Sequence, residues 1–307
     1  MIVKNMSVTL RKYNVTEDYK SVSDFLIENY QPGNRDGNFL QPAWEYMHSH
    51  PELDEKSLDK IGIWEDSGRI AGVAHYESYL GEAFFEVCQG YEYLKPEMLE
   101  YAEKNLYAKT QDGKRFIHVY INDFDTDFED LVKSRGYEKN DTNARPMTKL
   151  PIILSSLPET SLPDGFIMTS LADDNNLEQL NRVLWRGFNH GDEPTHIDYE
   201  GKGKMQSVPN YRKELNIIIS APDGNYVSYS GTWFNAANKY AYVEPVCTDP
   251  DYRRMGLART ASFEGIRRCG ELGAEVAYVG SVLPLYQSMG FKKLFTCNCW
   301  TKYLDMP

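Results

Sequence analysis

The stretch that decides the reading of this chain is 240-YAYVEPVCTDPDYRRMGLARTASFEGIRRCGELGAEVAYVGSVLPLYQSMGF-291. Residues 240–247 are aromatic and β-branched in alternation, the pattern of a strand. Asp249-Pro250-Asp251 stops it. From Arg253-Arg254-Met255-Gly256-Leu257-Ala258 onward the spacing turns helical, with Leu257, Ala261 and Ile266 among the apolar positions. A strand that runs through a basic, glycine-containing turn into a helix N-terminus is an anion cradle. The first N–H groups of a helix have no partner inside it and the helix end carries partial positive charge, so backbone alone can hold a pyrophosphate. Gly256 lets that backbone approach closely, and Arg253, Arg254 and Arg259 add charge-assisted hydrogen bonds.

The pattern Arg253-x-x-Gly256-x-Ala258 resembles the acetyl-CoA signature Gln/Arg-x-x-Gly-x-Gly/Ala of the GNAT N-acetyltransferase superfamily. Its context agrees: a strand before it, a helix after it, and a second strand over 274–279. Then comes Leu285-Tyr286-Gln287-Ser288-Met289-Gly290-Phe291, which is similar to the family's Leu-Tyr-x-x-x-Gly-Phe helix end. One departure stands out. The family often has an Asn a turn and a half before that tyrosine, where this chain has Val279-Gly280-Ser281-Val282. Ser281 is then the candidate for the missing cofactor contact. The resemblance implies acetyl-CoA as co-substrate, no metal, and a cradle formed by Arg253, Arg254, Met255, Gly256, Leu257, Ala258 and Arg259.

Acetyl transfer from a thioester to an amine needs the acyl carbonyl polarised, the amine deprotonated and the departing thiolate protonated. By the resemblance, the first task falls to backbone at the end of the fourth strand, at Val246, Cys247 and Thr248. Pro245 fits that placement, because a proline inside a strand gives nothing to the ladder and marks an edge or bulge. Glu244 is the candidate base; the alternative for it is a surface strand residue paired with a lysine or arginine. Tyr286 is the candidate acid; the alternative is a ring packed against the cofactor arm without proton transfer. No His lies near Cys247 in sequence to activate it, and direct transfer in a ternary complex needs no cysteine nucleophile.

At 307 residues the chain has room for two α/β domains. Hydrophobic residues at 41% and charged residues at 25% are those of a globular protein. No apolar run reaches membrane-spanning length, and the opening MIVKNMSVTLRKY lacks the apolar core of a signal peptide, so cytoplasm is the expectation. The five cysteines, Cys88, Cys247, Cys269, Cys297 and Cys299, form no CxxC pair, which suits a reducing compartment. Cys297 and Cys299 fall on one face of a strand and read as strand cysteines rather than metal ligands. A net charge of −12 argues against nucleic acid and is compatible with a cationic, amine-bearing small-molecule acceptor. His48 and His50 read as a solvated helix end.

The chain also reads as a repeat of about 150 residues. The first copy runs strand (8–12), helix (19–30), helix (43–48), a hairpin (61–65 and 70–76), strand (83–88), helix (95–106), strand (116–121) and helix (from 127). The second runs strand (166–170), helix (176–188), a mobile Gly/Lys/Glu stretch (190–204), a hairpin (216–220 and 226–234), and then the deciding stretch. The expected fold is α/β with a mixed sheet, as two tandem GNAT-like domains at 1–150 and 151–307 joined by a connector over 150–163. Where the second copy has Arg253 to Ala258, the first has Gln89-Gly90-Tyr91-Glu92-Tyr93-Leu94, and Val132 stands opposite Tyr286. The first copy thus lacks cradle and acid and is expected to be structural or to shape the acceptor site. A CoA-binding regulatory protein without turnover, or an acyltransferase for another acyl chain or a hydroxyl acceptor, shares these features. Neither acceptor nor oligomeric state can be read from the residues.

Overall fold

In the computed structural model of the chain, the described residues are 8–194 and 199–304; the signal-peptide reading of the N-terminus falls largely on residues 1–7, outside them. The chain divides into two compact units. One is Met1–Pro146 with Leu294–Pro307, and the other is Met147–Lys293.

The first unit contains β1 (Thr9–Lys12), α1 (Val15–Asn29), α2 (Gln41–Ser49), β2 (Gly62–Asp66), β3 (Arg69–His75), β4 (Glu82–Val87), α3 (Lys95–Asn105), β5 (Ala108–Lys109), β6 (Arg115–Asn122) and α4 (Thr126–Ser134). β7 (Glu138–Pro151) begins in this unit and ends in the next. The second unit continues with β8 (Ile167–Ser170), α5 (Leu177–Gly187), α6 (Tyr199–Gln206), β9 (Ile217–Ser220), β10 (Tyr226–Asn235), β11 (Tyr240–Thr248), α7 (Leu257–Glu271), β12 (Val276–Val279) and α8 (Pro284–Met289). β13 (Lys292–Leu304) follows, and all but its first two residues belong to the first unit.

Each unit is a mixed sheet with the same plan. In the first, β1, β2, β3 and β4 pair antiparallel, β4 and β6 pair parallel, and β6 takes β13 antiparallel. In the second, β8, β9, β10 and β11 pair antiparallel, β11 and β12 pair parallel, and Thr148–Pro151 of β7 lie antiparallel to β12. The last strand of each unit therefore differs from sequence order. Residues 294–304, expected in the second domain, complete the first sheet because their register with 115–122 is continuous over eight pairs. Leu150 and Pro151, expected to open a loose connector, are instead in β7 beside Ala277 and Val276.

Two further expectations change. Residues 199–206 of the supposed mobile stretch form α6, while 195–198 lie outside the described residues. His48 is not solvated: Tyr13 Oη and the Trp44 carbonyl hold its two ring nitrogens at 2.9 Å each, and its neighbours are Tyr13, Tyr19 and Trp44. His50 is half-buried, and its Nδ1 accepts the Glu52 N–H at 3.3 Å.

In the second unit, helices cover both sheet faces, as the alternation of apolar residues requires. α7 buries Phe263, Ile266 and Cys269 against Ala241, Val243 and Ala277. α5, capped by Asn176 through the Glu178 and Gln179 N–H groups, buries Leu180 and Val183 against Ile218, Tyr226 and Tyr229.

Candidate active site

β11 pairs with β12 at Tyr240, Ala241 and Tyr242, and the pairing ends there. From Val243 onward β11 has no ladder partner in β12. On its other edge β11 stays with β10, but the register shifts so that Glu244 and Pro245 together oppose Gly231, and the Glu244–Pro245 bond is cis. By sequence Pro245 marks an edge or a bulge, and a bulge is what stands there. Its missing signal was Gly231. A Cβ at that position would lie 2.5 Å from the Glu244 carbonyl oxygen, so the bulge requires glycine opposite it. Trp233 Nε1 donates to the same carbonyl at 3.0 Å.

The bulge changes which residues face which helix. Ahead of it Ala241 and Val243 face the α7 cluster; past it Val246 joins that cluster and Cys247 joins the α5 cluster. An inserted residue reverses the alternation, which is how one strand serves both faces. Tyr286, at the start of α8, packs in the same cluster as Val246 and is 6% exposed. Burial, the nearby carboxylate of Glu244 and then Cys247 raise its pKa, so the phenol keeps its proton at neutral pH. Tyr286 thus sits with Val246, and Glu244 and Cys247 are close enough to act on its phenol electrostatically. Burial also pushes the Cys247 thiol up to about 12, which removes it as a thiolate nucleophile. Its Sγ lies 3.4 Å from the Val183 carbonyl, against α5.

The edge polarity of β11 follows from one hydrogen bond. The Asp249 N–H donates to the Val227 carbonyl of β10, so by strand alternation Val246 and Thr248 turn their backbone groups away from β10, into the gap. The Thr248 carbonyl there is taken by Arg253 Nε at 3.2 Å.

The turn that follows has its own geometry. Arg254 and Gly256 both have positive φ, 66° and 82°, and Gly256 is the N-cap of α7. No side chain caps that helix end and its first turn has no acidic residue. A Cβ built on Gly256 meets nothing within 4 Å, so the space before the helix end is open. Leu257 is buried under the turn, Ala258 is half-buried, Met255 is 42% exposed, and the Arg259 guanidinium stacks on Phe263 at 5.0 Å.

Arg253 differs from the other two arginines. Its Nη2 donates to the Gly187 carbonyl at 3.0 Å and to Asn189 Oδ1 at 2.8 Å, tying the end of α5 to the end of β11. Sequence reading missed the partner of this bracket. Gly187 is needed because a Cβ would sit 2.6 Å from Cys247 Cβ, and Arg186 beside it holds Asp249. Ser281 Oγ accepts the Leu283 N–H at 3.2 Å and its carbonyl accepts from Thr148 Oγ1 at 3.0 Å, so this residue shapes the approach to α8. Among the described residues no group of three or more His, Cys, Asp or Glu is placed to hold a metal, and no helix is long and apolar enough to cross a membrane.

Residues 178–291 match the acetyltransferase (GNAT) family model. That segment is a GNAT-family domain. It begins in α5 and ends at Phe291, so it contains the bulged strand, the Gly256 turn and Tyr286. With that domain, the chain is an acyltransferase. Solved structures agree on the fold over almost the whole length. A GCN5-related N-acetyltransferase from Sphaerobacter thermophilus superposes with a TM-score of 0.63 at 14% identity, covering 97% of this chain and 98% of that one. A tandem GNAT protein from the clavulanic acid biosynthesis pathway gives 0.61 at 11% identity, covering 98% and 100%. The N-myristoyltransferase of Saccharomyces cerevisiae, solved with bound myristoyl-CoA, gives 0.56 at 12% identity, covering 96% and 78%. No protein with a curated description matches the chain by sequence. The mixed α/β fold expected from sequence is the one these structures share.

Proposed function

We propose that the second unit binds acetyl-CoA and transfers its acetyl group to the amine of a small-molecule acceptor by direct attack in a ternary complex. The observation that carries this reading is the pairing of two open backbone features in one GNAT segment. The β11 edge is free of β12 beyond Tyr242, and the uncapped N-terminus of α7 stands behind Gly256. The first suits the amides of a pantetheine arm and the second suits a pyrophosphate. In this reading the Val246 N–H polarises the thioester carbonyl, with Cys247 and Thr248 continuing the edge. Arg254 and Arg259 supply charge to the phosphates, Met255, Leu257 and Ala258 form the cradle with Gly256, and Ser281 borders the arm.

The amine nitrogen attacks the carbonyl carbon and an oxyanion forms beside the Val246 N–H. The C–S bond then breaks. The amine proton goes to Glu244, directly or through water, and Tyr286 gives its proton to the departing thiolate. The raised pKa of Tyr286 keeps its phenol protonated, the form that can donate. The net charge of −12 favours a cationic acceptor. The first unit, which lacks arginine between Gln89 and Leu94, serves as scaffold or shapes the acceptor site.

Calorimetric titration with acetyl-CoA, followed by a thiol-release assay across an amine panel, tests the reading. Absence of binding removes it. Binding without release on any amine would favour a CoA-sensing protein instead.

A further inference from the structure

The two units share a strand plan, so the first has its own version of the gap. β4 pairs with β6 at Glu82 and Ala83 and then leaves it. Val87 follows the last pair by four residues, as Val246 follows Tyr242 by four in the second unit. The Cys88 N–H donates to the Ala71 carbonyl of β3, so Val87 presents its backbone groups to the gap.

Those groups are occupied. The side-chain carboxamide of Asn38, 4% exposed, accepts the Val87 N–H at 2.9 Å and donates to the Val87 carbonyl at 3.3 Å. That is the two-point contact an amide of an extended ligand makes with a strand edge. The turn beyond is occupied as well. Glu92 folds its carboxylate back so that both oxygens accept the Gly90 N–H, at 2.9 and 3.1 Å. Gly90 has φ 89°, positive like that of Arg254 in the turn of the second unit. Next to the last β4–β6 pair, Phe84 stacks on Tyr120 at 4.5 Å, and the Arg145 guanidinium lies over both rings at 4.9 and 4.4 Å. Arg145 is itself held by Glu77 and Glu82.

We propose that the first unit is closed by its own chain: the Asn38 carboxamide stands where a pantetheine amide would pair, and the Glu92 carboxylate where a phosphate would sit. This rests on the cofactor reading of the second unit given above. The first unit is then not a weakened cofactor site but one whose contacts are made internally, with the loop between α1 and α2 fastened to β4 as the result. The Phe39 N–H, next to Asn38, donates to buried Glu86 at 2.7 Å and fastens the same loop a second time.

Amide hydrogen exchange on the full chain tests this, read at Val87 and Gly90 with and without saturating acetyl-CoA. Both amides should be protected in the free protein and unchanged by acetyl-CoA. Asn38→Ala should speed exchange at Val87 by roughly threefold to tenfold, the equivalent of one net hydrogen bond, and leave Gly90 alone. Glu92→Ala should do the reverse. Slowing of either amide by acetyl-CoA in the wild-type chain would overturn the proposal without any variant having to fold, and so would an Asn38→Ala variant whose Val87 exchanges as before. Should acetyl-CoA bind nowhere in calorimetry, the function proposed for the second unit fails while the exchange rates of the two variants still decide the closure.

Discussion

Arg186 holds Asp249 through two hydrogen bonds, Nε to Oδ2 at 2.6 Å and Nη2 to Oδ1 at 3.0 Å, with Asp249 only 1% exposed. The pair joins the last turn of α5 to the residue at which β11 ends and the cradle begins. Removing the arginine leaves a buried carboxylate with Arg182 at 3.6 Å as its remaining cation. Arg186→Met should therefore lower unfolding free energy by about 3 kcal/mol, the low end for a broken buried pair, measured by urea denaturation. A loss below about 1 kcal/mol would mean that the pair behaves as a surface contact.

The same pair carries a pH dependence. Burial alone would raise the Asp249 carboxyl, but the Arg186 hydrogen bonds and the Asp251 N–H outweigh it and the pKa is lowered. A depressed folded value means that the stabilisation is complete above the ordinary aspartate value of 3.8 and is lost as pH falls through the lower folded value. Wild-type stability should thus decline below pH 3.8 more steeply than that of Asp249→Asn. Parallel curves for the two proteins would contradict the assignment.

Tyr286→Phe keeps the ring in its cluster and removes the proton. If the phenol protonates the thiolate, kcat should fall about a hundredfold to ten-thousandfold with acetyl-CoA affinity little changed. Single-turnover kinetics should first establish that acetyl transfer is the slow step. A near-normal kcat under that condition would leave water as the proton source.

Gly256→Glu should abolish acetyl-CoA binding, because a carboxylate would stand in the open space before α7 and the positive φ disfavours any side chain. Circular dichroism should show the fold retained. Titration with unchanged affinity would reject the cradle.

The arginines of the turn should separate by phenotype. Arg253→Ala loses its bonds to Thr248, Gly187 and Asn189 and should cost about 1 kcal/mol of stability, whereas Arg254→Ala should weaken acetyl-CoA binding at unchanged melting temperature. Equal effects of both on binding alone would mean that Arg253 leaves its bracket when the ligand arrives.

Local chemistry was legible in the sequence where a residue type has few uses. Gly256 ahead of a helix and Pro245 inside a strand each announced a backbone geometry, and that geometry is present. What escaped was set by residues distant in sequence. His48 reads as solvated until Tyr13 and Trp44 are folded over it. The face reversal after Pro245 needs the register with β10, and Gly231, though a glycine within a strand, signals a close approach without naming Glu244 as its partner. α6 was hidden by its composition, since Gly201 and Gly203 weaken the helical signal of YEGKGKMQ. Asn38 sits in a Gly/Asn-rich loop, where an asparagine is ordinary, and its role depends on Val87, 49 residues away.

The assignment of residues 294–304 to the first sheet has a consequence for how the protein is made. Val119 and Tyr120 wait for Trp300 and Cys299, which a ribosome adds roughly 180 residues later, at about 5 to 20 residues per second. The second unit, continuous from 147 to 293, is fully synthesised before the first can be completed, so the later-encoded domain is the one free to fold first. Until then β6 exposes an unpaired apolar edge, and a nascent chain interrupted at residue 293 would carry a complete second unit together with an unfinished, aggregation-prone first one.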